Sequence, residues 1–164
     1  DPESYLGRLA RAALAYAPPG ALPEMNQAFE LFGRTVECHI DSLRPDWASF
    51  DDWKSSSGYN ELTNESLHND LQAHWQAYGI MKGSGQTCIH GRWIYADKPS
   101  ARSGKNVKIR IAEGDFSLQE SEAWLFKTAY PLLRLVELFE ALPAAPALES
   151  VPHDPLGCGD RRDQ

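Results

Sequence analysis

Near the start of the chain Leu6, Leu9, Ala10, Ala13, Leu14 and Ala17 recur at three- and four-residue spacing, with Arg8 and Arg11 off the stripe. That pattern predicts an amphipathic helix. Asp1 can cap it, Pro2 suits its first position, Glu3 meets the positive end of its dipole, and Pro18-Pro19-Gly20 stops it. Met25, Ala28, Phe29 and Phe32 share one side of a second short helix predicted from about Pro23, with Gly33 as terminator. Strict alternation follows. Val36, Cys38 and Ile40 against Thr35, Glu37 and His39 predict a strand. The aromatic residues Trp47, Phe50 and Trp53, interleaved with Asp46, Asp51 and Asp52, predict a short helix over 47–54 with rings inward and acids in water.

Thr63 or Asn64 caps a firmer helix whose Leu67, Leu71, Trp75 and Tyr78 mark one face, and Gly79 closes it. Two strands, Thr87–Ala96 and Asn106–Ala112, are joined by a loop over 97–105 to make a hairpin. In its second strand Val107, Ile109 and Ile111 alternate with Lys108 and Arg110, which puts aliphatics on one face and cations on the other. The same parity groups Trp93 and Tyr95 with the core. Ser117 and Glu120 form a capping box opening the longest helix, to about Leu142, interrupted by Pro131. Its apolar residues from Trp124 to Phe139 occupy more than one stripe, which implies a central core helix or a homodimer formed through the 118–142 helix. The expected fold class is therefore α+β: a mostly helical single domain over residues 1–142 with a small antiparallel hairpin or three-stranded sheet. A flexible Pro/Gly-rich tail over 143–164 follows.

From Pro23 to Leu142 the order of elements is similar to that of winged-helix proteins. That resemblance implies that 63–78 takes the recognition-helix position and 97–105 the wing. The helix carries Glu65 and Asp70 and no Lys or Arg, so phosphates would repel it, and protein contacts suit it better.

Composition narrows the function classes. A 164-residue chain with 42% hydrophobic and 24% charged residues is globular rather than disordered. No apolar run approaches the roughly 18–20 residues of a membrane span, so no membrane partner is expected. Three cysteines cannot close a disulfide set, which points to reduced thiols and a cytoplasmic location. The net charge is −7, yet seven cations face a single acid between Lys82 and Arg110. A basic hairpin on an acidic body predicts a contact surface of Arg92, Lys98, Arg102, Lys105, Lys108 and Arg110 for a polyanion such as nucleic acid, or for an acidic protein surface.

The leading expectation is thus a non-catalytic binding module. One alternative is an acidic inhibitor or immunity-type protein working through Asp46, Asp51 and Asp52. Another is a small enzyme using Cys88 with His39 or His90. The Cys38-His39, Cys88/His90 and His153/Cys158 pairs match no metal-knuckle spacing, so neither metal nor cofactor is expected. Glu120-Ser121-Glu122 superficially resembles the Glu-x-Glu element of ADP-ribosyltransferases, but Glu120 is already accounted for by the capping box.

Overall fold

Phe32 and Gly33, with φ of +51° and +80°, reverse the chain in two residues. Both central residues of such a turn need positive φ, and its twist matches that of the strands it joins. In a computed structural model, which describes residues 5–56, 63–97 and 107–142, this turn connects β1 (Leu22–Leu31) to β2 (Arg34–Leu43), with Leu31 opposite Arg34. The helix expected from Pro23 is therefore a strand. Met25, Ala28, Phe29 and Phe32 fit a helical period, but burial follows the period of two that ends on Phe29 and Leu31.

The helix expected over 47–54 is also a strand, β3 (Ser49–Ser56). β3 pairs antiparallel with β2 at only two positions, Ser42 with Asp51 and Leu43 with Phe50. It then runs parallel to β4 (Cys88–Asp97) for eight pairs, and β4 pairs antiparallel with β5 (Ile109–Ser117). The result is a five-stranded mixed sheet in the order β1-β2-β3-β4-β5. This corrects the mostly helical, three-stranded and winged-helix-like expectation, although the α+β class stands. The parallel β3–β4 pair requires a crossover, and helices supply it.

Helix α1 covers Tyr5–Leu14, as expected. The helix expected over 63–78 is two: α2 (Asn64–Leu67), capped by Thr63, and α3 (Leu71–Ser84), capped by the Asp70 carboxylate on the Ala73 N–H at 2.9 Å. Gly79 does not end α3, which stops at Gly85 with φ +76°. Gly79 is where the helix meets the sheet. A Cβ there would come within 2.6 Å of Phe29 Cε1 and 2.8 Å of Cys38 Sγ. Ser117 accepts from the Glu120 N–H at 3.2 Å and opens α4 (Leu118–Glu140), which runs through Pro131.

Alternation assigns the faces. Phe50, Asp52, Gly91, Trp93 and Phe116 point toward α2 and α3, where Phe50 meets Trp93 and His74 and His68 meet Phe116. Asp51, Trp53 and Arg92 point to the opposite face, where Arg92 reaches the Tyr16 carbonyl just beyond α1. Outside α3, α4 places Trp124 flat on His74, with centroids 4.7 Å apart. β5 buries Ala112 and Phe116, the parity of Lys108 and Arg110, while Ile111 is 36% exposed. The expected aliphatic and cationic faces of that strand are exchanged, because it runs on to Phe116 and that ring sets the register. Trp93 and Tyr95 are core residues, as expected.

Contacts divide the chain into two units, Asp1–Pro131 and Leu132–Gln164. The first holds the whole sheet. In the second, the described end of α4 exposes Leu132, Leu135, Val136, Leu138 and Phe139. The tail expected over 143–164 lies outside the described residues. No helix among the described residues is long and apolar enough to cross a membrane.

Candidate functional site

β2 and β3 part company after Ser42 and Asp51. Their remaining backbone groups must find partners elsewhere or pay the desolvation cost of an unmade hydrogen bond. Side chains fill the fork. Asp41 Oδ2 accepts the Trp53 N–H at 2.7 Å, and Gln76 Nε2 of α3 donates to the His39 carbonyl at 2.7 Å. Asp41 sits where β2 loses its alternation, since Ser42 and Leu43 are both buried. Opposite it in β1 is Glu24, held at φ +52° and skipped in the pairing register. The Glu24 carboxylate lies 2.8 Å from His39 Nε2, and the same nitrogen lies 3.6 Å from Asp41 Oδ1.

On β3, Asp52 and Lys54 are two residues apart and so share a face. Lys54 Nζ lies 2.5 Å from Asp52 Oδ2 and donates to Gln72 Oε1 at 3.0 Å. Gln72 and Gln76, one turn apart on α3, both donate to Asp52 Oδ1, at 2.7 and 3.2 Å. Asp52 is 2% exposed, and burial pushes its carboxyl above the ordinary value. Hydrogen bonding and charge from Lys54, with a hydrogen bond from Gln76, oppose that shift, whereas the nearby Asp41 charge adds to it. Gln76 Oε1 is buried and accepts no hydrogen bond among the described residues, whereas Asp52 Oδ2 is met by the Lys54 ammonium. A buried acceptor without a donor is uncommon.

The residues singled out by charge are placed differently. Arg92 is paired across the β3–β4 ladder with Asp51, Nε to Oδ1 at 2.7 Å and Nη2 to Oδ2 at 2.8 Å. That contact, ahead of the opposing effect of burial, raises the guanidinium pKa further. Its positive charge is already answered by a buried carboxylate. Lys108 is exposed, and Arg110 is half-buried opposite Tyr95. Lys98, Arg102 and Lys105 lie outside the described residues. Of the three acids, Asp46 is exposed and 3.3 Å from Arg44, whereas Asp51 and Asp52 are 1% and 2% exposed and face the interior.

Cys38 is buried, and its thiol is pushed up to about 11 by that burial, so it stays protonated. Cys88 is exposed, and no hydrogen bond joins it to His90, whose Nδ1 is 2.7 Å from Asp115. Among the described residues, no group of three or more His, Cys, Asp and Glu is arranged to hold a metal ion. His153 and Cys158 lie outside the described residues.

The fork residues Asp41, Lys54, Gln72 and Gln76 escaped charge-based reading because they carry little net charge together. The available signal was Asp-x-Lys on a strand with Gln-x-x-x-Gln on the following helix.

No family model matches this chain, and no curated protein does. Solved structures show a fold likeness. The crystal structure of a "Putative exonuclease" from Eubacterium rectale superposes with a TM-score of 0.58 at 14% identity, over 84% of this chain and 55% of that one. SSO0001 matches at a TM-score of 0.42 and 10% identity, over 77% and 57% of the two chains. The chain therefore spans a little over half the length of the structures it resembles.

Proposed function

We propose that this chain is a divalent-metal-assisted phosphodiesterase acting on nucleic acid, with its reacting centre at the fork between β2 and β3. The observation that carries the reading is the convergence of Asp41, Asp52 and Lys54, from two diverging strands, with the buried Gln76 Oε1 accepting no hydrogen bond among the described residues. A hard cation takes oxygen ligands, and magnesium commonly uses only one or two protein carboxylates, with water and substrate phosphate completing its shell. Asp41 and Asp52 are the carboxylates that would hold it, with Gln76 Oε1 as a neutral oxygen beside them. Bound there, the ion would polarise a phosphoryl oxygen and lower the pKa of a water.

The chain's own residues do the rest. The Trp53 N–H fixes one oxygen of Asp41, and the two glutamine amides fix Asp52. Preset side chains need no reorganisation when charge develops. Lys54, paired with Asp52 and bonded to Gln72, holds that carboxylate in place from its other oxygen. The likeness to the "Putative exonuclease" supports the reaction class. Nucleic acid as ligand agrees with the expectation drawn from the basic hairpin, but the working groups lie elsewhere.

The test is cleavage of end-labelled DNA and RNA oligonucleotides with magnesium or manganese, against an EDTA control. Metal-dependent cleavage is expected, falling about 100-fold or more in Asp52→Asn and Lys54→Ala. No metal-dependent cleavage of any of these substrates, or a folded Asp52→Asn protein that cuts at the wild-type rate, refutes the reading.

A further inference from the structure

From Leu132 onward the end of α4 and the turn after it carry six large apolar side chains, Leu132, Leu135, Val136, Leu138, Phe139 and Leu142, each 44% to 64% exposed. The Ala141 N–H donates to the Glu137 carbonyl at 3.0 Å and the Leu142 N–H to the Phe139 carbonyl at 3.2 Å, so the helical path continues as far as Leu142. At 3.6 residues per turn the six side chains fall within an arc of about 160°. Arg134, Glu137 and Glu140 lie on the opposite side, where Arg134 pairs with Glu137. As a heptad, Leu132 and Phe139 take the a positions and Leu135 and Leu142 the d positions, while Val136 and Leu138 take the flanking e and g. No charged residue therefore stands in the seam or beside it.

We propose that this face pairs with the same face of a second copy of the chain, in a symmetric dimer. With about half or more of each side chain accessible, it offers about 600 Å² of apolar surface, the upper end of what a monomer leaves exposed. Two such faces pressed together remove about 1,200 Å² in all, which reaches the lower bound of a stable, specific interface. Charges at e and g select unlike partners or repel like ones. Here those positions are apolar, so identical helices meet without opposing charge. A lipid surface fits less well, because interfacial helices carry a Lys- and Arg-rich polar face, whereas Arg134 stands here with two glutamates. The sequence after Leu142 is also a poor cover: Leu148, Val151 and Leu156 are its only large apolar residues, half as many as the face presents. The pairing is independent of the chemistry at the β2–β3 fork.

The test is the mass of the full chain in solution, measured by sedimentation and by light scattering over about 1–100 μM, the range in which an interface of this size dissociates. A discrete species of twice the mass of one chain is expected, giving way to monomer on dilution. Leu135→Glu and Phe139→Glu each put a charge into the seam and are expected to weaken the dimer about 30-fold or more. Both side chains are at least half exposed, so the substitutions leave the monomer folded, with far-UV circular dichroism as the check. Arg134→Ala, on the opposite side of the helix, is expected to leave the dissociation constant within about twofold of wild type. A chain that stays monomeric at the highest concentration overturns the proposal, whatever else covers the face. So do assemblies of no single mass, glutamate variants that dimerise like the parent, or an Arg134→Ala protein that dissociates as readily as they do.

Discussion

Removing the Asp51 carboxylate tests where the charge of Arg92 is spent. The pair is a two-bonded fork, 2.7 and 2.8 Å, between a carboxylate 1% exposed and a guanidinium 23% exposed. Breaking a fully buried ion pair from one side costs about 3–5 kcal/mol, because the orphaned charge stays desolvated. Arg92 keeps some water and its bond to the Tyr16 carbonyl, so about 2–3 kcal/mol is the reasoned figure for Asp51→Ala. In a chain of this size 1 kcal/mol moves the melting temperature by about 2–4 °C, so a fall of roughly 4–12 °C is expected. Circular dichroism melts of Asp51→Ala and of the double variant Asp51→Ala/Arg92→Leu provide the assay. The double variant should recover much of the loss, since it removes the unpaired charge as well. An Asp51→Ala protein melting within about 1 °C of wild type refutes the reasoning, and would return Arg92 to the list of cations available for a polyanion.

Two further outcomes follow from the titrating groups. Burial raises the Asp52 carboxyl above its ordinary 3.8. A carboxylate raised on folding contributes stability below its unfolded pKa that is lost as the pH rises through the folded value, so at pH 7 its charge burdens the fold. Asp52→Asn should therefore melt at or above the wild-type temperature while cleavage falls, the trade expected of a reacting group; a melting point more than about 4 °C lower contradicts it. His74 is fully buried, and burial lowers its pKa from 6.5 against the opposing pull of the His68 carbonyl and Glu120. A base depressed on folding gives stability that is complete above its unfolded pKa and declines as the pH falls from 6.5 toward the folded value. The urea midpoint should drop between pH 7.5 and 5.5, and drop less in His74→Gln; equal slopes for the two proteins exclude His74 as the cause.

Local signals made part of this fold legible. Thr63 and Ser117 cap helices, the alternation of Val36, Cys38 and Ile40 marks β2, and the run after Ser117 forms a long helix, because each signal is complete within a few residues. β1 and β3 carry a helical period in sequence for a definite reason. Met25, Ala28, Phe29 and Phe32, and likewise Trp47, Phe50 and Trp53, satisfy a three-to-four-residue spacing as well as they satisfy a strand. Propensity could not choose between them; pairing with β2 and β4 did. On a helix Asp52 and Lys54 diverge, while on a strand they share a face, so the candidate site exists only once β3 is a strand.

By itself the sequence determined the elements whose caps and periods are local, and the presence of carboxylates, one lysine and two glutamines at spacings a strand and a helix can use. Only the tertiary structure decided that β3 lies parallel to β4 and splays from β2. That divergence leaves backbone groups unpaired, draws Asp41 in to satisfy the Trp53 N–H, and places its charge near enough to Asp52, eleven residues away in the chain, to act on it. Charge counting behaved in the same way: it found Arg92 and Asp51, but only a cross-strand register, which no local pattern encodes, turns them from two surface charges into one buried pair.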